Sequence, residues 1–139
     1  MDDEPQLILL QLSGLLSAAA ALVEEEWAKG LAGLGISVAS VAILEALTVS
    51  GRTTPTALAR RMRIRADSLS SLLGKLEKGG YVRRHVRESA GASATVVITG
   101  SGLTLVQTTR QLESAILARV TANASALRED LQAIVSALG

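Results

Sequence analysis

The stretch ADSLSSLLGKLEKGG, residues 66–80, decides the fold. Its apolar positions are Leu69, Leu72, Leu73 and Leu76, a spacing that puts all four on one face of an α-helix. Gly79 and Gly80 stop that helix. With successive residues turned by about 100°, the opposite face carries Asp67, Ser71, Gly74 and Lys78, flanked by Ser68, Ser70 and Lys75. One side anchors the helix to a core; the other is small, polar and able to approach another molecule closely.

Upstream, Thr53-Thr54-Pro55 joins a capping hydroxyl to a proline in the first helical turn, and Leu58, Ala59 and Met62 mark a short helix over residues 55–63. Two short helices across a tight turn, the second strongly amphipathic, predict a helix-turn-helix. Before it, Ser37 caps a helix bearing Val41, Leu44 and Leu47, which Gly51 ends. A first helix is expected over residues 6–29, followed by a loop at Gly30, Gly33 and Gly35. Downstream, residues 81–87 and 94–99 are rich in β-branched side chains and flank the flexible composition of residues 88–93, which predicts a β-hairpin in the position of a wing. Helical periodicity returns at residue 101 with Leu103, Val106, Leu112, Ile116, Leu117 and Val120. It continues in Leu127, Leu131, Ile134, Val135 and Leu138, with a bend near Asn123. The expected fold is mainly α: a winged helix-turn-helix lobe over residues 37–100, a first helix and loop over 1–36, and C-terminal helices over 101–139, all in one compact domain.

Charge is distributed unevenly. Between residues 52 and 87 lie ten Lys or Arg and two acids, a net of +8, while the other 103 residues hold four bases and eleven acids, a net of −7. A basic patch on an acidic body draws a polyanion to one surface and repels it elsewhere, and double-stranded DNA is the leading partner. Trp27 and Tyr81 are the only aromatic residues, too few to stack unpaired bases, so a duplex fits better than single strands.

Several function classes are excluded by residue type. Without Cys there is no disulfide, thiolate metal site or thiol redox switch, and the lone His85 cannot build a zinc or haem site, so no metal or cofactor is expected. No nucleophile–base–acid set can be assembled, which argues against an enzyme. Residues 7–23 form an apolar run close to the roughly 20 residues of a membrane span. Its flanks, Asp2-Asp3-Glu4 and Glu24-Glu25-Glu26, have the wrong sign for a signal or an anchor. Burial between two copies of the chain, with no membrane and a cytoplasmic location, is the better reading.

The base-reading candidates are Asp67, Ser68, Ser70, Ser71 and Lys75 on the second helix of the motif. Candidates for phosphate and wing contacts are Thr53 and Thr54 at a helix start, and Arg83, Arg84 and Arg87 on the hairpin arm. Alternation sends Arg83, His85 and Arg87 to one side of the strand, and Val82, Arg84 and Val86 to the other.

Residues 37–103 resemble the MarR-type winged helix-turn-helix regulators. The likeness is carried by S-V-A-S-V-A-I-L-E-A-L, T-P-T-A-L-A-R-R-M, A-D-S-L-S-S-L-L-G-K-L-E-K-G-G-Y-V-R-R and V-V-I-T-G-S-G-L. It implies an obligate homodimer whose first and last helices interlock. Two DNA-reading lobes and a cleft for a small organic effector are also implied, the cleft involving Val23, Trp27, Leu31, Leu34 and Ile36. Such wings carry an acid and an arginine two residues apart near the tip, where this chain has Ala90-Gly91-Ala92. The helix–helix turn favours Gly, where this chain has Arg63. The expected function is a dimeric, sequence-specific regulator acting on a pseudo-palindromic operator, a repressor relieved by a small organic ligand. The alternative is a winged-helix protein-interaction module that has lost DNA reading.

Overall fold

The structure is a computed structural model that describes residues 4–85 and 94–139. Its elements run α1 (Glu4–Gly33), α2 (Val38–Ser50), α3 (Pro55–Met62), α4 (Ala66–Lys78), β1 (Val82–His85), β2 (Thr95–Ile98), α5 (Gly100–Val120) and α6 (Ala124–Leu138). They form two compact units, residues 31–111 and residues 1–30 with 112–139. The first is the winged lobe. It is wider than residues 37–100 because Leu31, Ile36, Val106 and Thr109, all buried, belong to it.

Local signals set the lobe's helix ends. The Ser37 hydroxyl accepts the Ser40 N–H at 3.1 Å and starts α2, and Gly51, at φ 66°, closes it on the Leu47 carbonyl. Thr54 caps α3 by accepting the Ala57 N–H at 3.1 Å, with Pro55 in the first turn. Ile43, Leu44 and Leu47 of α2, Leu58 of α3, Leu69 and Leu73 of α4, and Val96 of β2 are each 1% exposed or less. Each such side chain contributes about 1.5–3 kcal/mol by leaving water. The anchoring face of α4 is the leucine face read from the sequence, with Leu72 half-buried at its edge.

β1 and β2 pair antiparallel in the register Val82↔Ile98, Arg83↔Val97, Arg84↔Val96 and His85↔Thr95. Residues 81, 94 and 99 fall outside the strands, and residues 86–93 lie outside the described part. Thr53 adds a bridge to Val96, donating its N–H at 3.2 Å and accepting the Val96 N–H at 2.7 Å. Thr99 joins the hairpin to α5. Its N–H donates to the Tyr81 carbonyl at 3.0 Å, and its hydroxyl donates to the Gly80 carbonyl at 2.6 Å while accepting the Gly102 N–H at 3.1 Å. Gly102 has no room for a side chain, because a Cβ there would meet the Tyr81 carbonyl oxygen and the Ile98 side chain. This fastening is what I-T-G-S-G encodes.

In the other unit the first helix is longer than expected. Gly30 and Gly33 do not open a loop; α1 runs through both, and the turn waits for Gly35 at φ 74°. A Cβ on Gly30 would lie 2.7 Å from Leu112 Cδ2, so glycine here lets α5 come close rather than ending a helix. The bend near Asn123 is a break, and the Asn123 side chain caps α6 by accepting the Ala126 N–H at 3.0 Å. Ile116 is the unit's only buried apolar residue among those described. By contrast Leu9, Leu10, Leu15, Leu22, Leu127, Leu131, Val135 and Leu138 are exposed, Leu138 at 85%.

Candidate nucleic-acid interface

The site is built on α4. Arg65 occupies its N-cap in extended backbone without a side-chain cap bond, and Asp67 in the first turn takes over. One Asp67 carboxylate oxygen accepts the Ser68 N–H at 3.0 Å and stands 3.4 Å from Arg65 Nε. A carboxylate there also opposes the positive end of the helix. Asp67 is thus engaged at the helix end, while Ser68, Ser70, Ser71 and Lys75 are exposed. The three serine hydroxyls make no hydrogen bond among the described residues. At Gly74 an added Cβ would meet nothing within 4 Å, so the middle of this face is open.

Both acids of the basic window are consumed inside it. Asp67 pairs with Arg65, and Glu77 Oε2 lies 3.0 Å from Arg84 Nε. Arg52, Arg60, Arg61, Arg63, Lys75, Lys78 and Arg83 are all exposed and have no ion pair among the described residues. The local field is therefore that of uncompensated cations. Arg60, Arg61 and Arg63 were not singled out from the sequence, since charge alone does not tell which of several clustered arginines faces outward. Arg63 sits at φ 55°, ψ 44°, left-handed backbone that glycine adopts without strain, and its N–H closes α3.

The remaining candidates divide. Thr53 spends its backbone groups on Val96, and the Thr54 hydroxyl caps α3. Arg83 projects outward from β1, but Arg84 lies on the half-buried side with Val82 and reaches α4. Arg87 lies outside the described residues. Of the five residues suggested for an effector cleft, Val23 and Trp27 belong to one unit, and Leu31, Leu34 and Ile36 to the other. A shallow cavity of about 350 Å³ on the lobe is lined by other residues, among them Ala59, Ile64 and Leu69.

Two helices across a tight turn, the second exposed and ringed by cations, with a hairpin after it, define a winged helix-turn-helix. Residues 34–92 match the MarR family. An HTH-type transcriptional repressor of Mycobacterium tuberculosis is 29% identical over 125 residues, covering 87% of this chain and 86% of that protein. The crystal structure of the YusO protein from Bacillus subtilis superposes with a TM-score of 0.79 at 19% identity, covering 98% of this chain and 99% of that one. A mutant of E. coli MarR complexed with operator DNA gives a TM-score of 0.66 at 20% identity, covering 91% and 94%. Over residues 34–92 the chain is thus similar to the MarR family, and the solved structures show the same winged-helix fold.

Proposed function

We propose that the protein is a homodimeric, sequence-specific DNA-binding repressor. Each protomer lays α4 into the major groove of one half-site. Ser68, Ser70, Ser71 and Lys75 face base edges, and Arg83 with the arginines around the helix–helix turn contacts phosphates. The observation that carries this reading is the open polar face of α4 set among cations that have no ion pair among the described residues. The repressor name of the mycobacterial relative and the operator complex of E. coli MarR support it.

Dimerisation rests on the unit formed by residues 1–30 and 112–139. Ile8–Gly33 is long and apolar enough to cross a membrane, and most of its leucines, like those of α6, stand exposed in the single chain, where water disfavours them. A second copy of the chain covers them, consistent with the acidic flanks Glu24-Glu25-Glu26. Relief by a small organic ligand completes the reading. The half-buried Trp27, the only tryptophan, reports binding through its fluorescence.

Selection of genomic fragments bound by the purified protein tests the proposal. An inverted repeat with half-site centres about 34–36 Å apart, one helical turn, is expected. Fragments without a shared motif contradict it.

A further inference from the structure

Arg84 is the only base of residues 52–87, among those described, whose residue is not exposed; its side chain is 28% accessible and its Nε is shielded from solvent. From β1 it crosses to α4 and meets two points on it. Nε stands 3.0 Å from Glu77 Oε2, and Nη2 donates to the Ser70 carbonyl at 3.4 Å. Ser70 and Glu77 lie about two turns apart along α4, and the Ser70 carbonyl and the Glu77 side chain both reach the one guanidinium between them. Its charge is matched by Glu77, Nη2 is engaged by the Ser70 carbonyl, and the shielded Nε makes an ion-pair contact without a hydrogen bond.

We propose that Arg84 is a positioning residue, which straps the first strand of the hairpin to the base-reading helix and thereby sets sequence discrimination. The inference rests on the DNA-binding reading above. With the strap in place, the outward Arg83 of β1 and the outward Ser71 and Lys75 of α4 keep one spacing and meet a duplex as a single body. Without it, the hairpin reaches phosphates out of step with the bases. Binding to any duplex then survives, and preference for the operator falls. Lysine preserves the charge but offers a single compact head in place of a planar fork, so it cannot hold both points.

The test uses the full chain, an operator duplex from the genomic selection and a scrambled duplex of equal length. Arg84→Lys and Glu77→Gln each lower the ratio of operator to scrambled affinity by about fivefold, the scale of one partly exposed ion pair. A variant that merely folds less well loses both affinities together and leaves the ratio unchanged. If Arg84 is instead a phosphate ligand, Arg84→Lys keeps the ratio, and Glu77→Gln frees Arg84 and tightens both duplexes alike; either result overturns the proposal. A wild-type chain with no preference between duplexes overturns the DNA-binding reading itself, a failure distinct from that of the strap. By NMR, the Arg84 Nε–H exchanges slowly in the free protein and stays put when scrambled duplex is added, whereas Glu77→Gln speeds its exchange. Rapid exchange in the wild type contradicts the strap.

Discussion

Replacing Arg63 by Gly stabilises the protein. Arg63 sits at φ 55°, ψ 44° in the turn between α3 and α4, where the Cβ of an L-residue crowds the following carbonyl at a cost of about 1–2 kcal/mol. Glycine escapes that cost but gives the unfolded chain more freedom, which returns about 0.4–1 kcal/mol. The difference leaves a net gain of about 0.5–1 kcal/mol. Arg63 is exposed and makes no ion pair among the described residues, so no lost contact offsets the gain. Urea unfolding at fixed protein concentration reads it as a higher midpoint at unchanged slope. Arg63→Ala is the control: it removes the same charge but keeps the Cβ, and leaves the midpoint near the wild-type value. A Gly variant no more stable than the Ala variant would show that the turn is unstrained. The same substitution removes a cation beside α4 and weakens duplex binding, so here stability is exchanged for charge where charge is useful.

Other substitutions probe the remaining parts. Gly102→Ala forces a methyl group against the Tyr81 carbonyl and the Ile98 side chain, and lowers stability by about 1–3 kcal/mol in a thermal melt. Thr99→Val removes both the α5 cap and the bond to the Gly80 carbonyl, at a cost of about 1–2 kcal/mol by the same assay. Ser71→Ala and Lys75→Ala shift preference among duplex sequences in competition assays, whereas Lys78→Ala weakens all of them similarly. Leu131→Glu, on the exposed apolar face of α6, converts a dimer to monomer or aggregate in sedimentation at micromolar concentration; an unchanged dimer would remove α6 from the interface.

Much of the lobe was legible in the sequence because its signals are local. Ser37, Thr54-Pro55 and the glycines after α2 and α4 act within one helical turn, and the leucines of α4 declare their face by spacing alone. At Arg63 the reading fails: an arginine where glycine is expected argues for a locally different turn, yet the backbone keeps the left-handed conformation, φ 55°. What else escaped depends on partners distant in the chain. Gly30 reads as a helix breaker until Leu112 is seen filling the place of its side chain. Thr53 reads as a free phosphate donor until Val96 takes its backbone. Alternation put Arg84 on the Val82 side of β1, but the two points it meets on α4 follow only from packing the strand on the helix.

Most directly, duplex affinity can be followed across salt concentration. Seven exposed cations per protomer have no ion pair among the described residues. If two protomers together make 6–10 phosphate contacts, operator affinity falls about 10³–10⁵-fold between 50 and 200 mM salt. Affinity that is absent, or flat across that range, would mean the basic face of α4 and its surroundings does not meet DNA, and the chain would then be a winged-helix module that binds another protein.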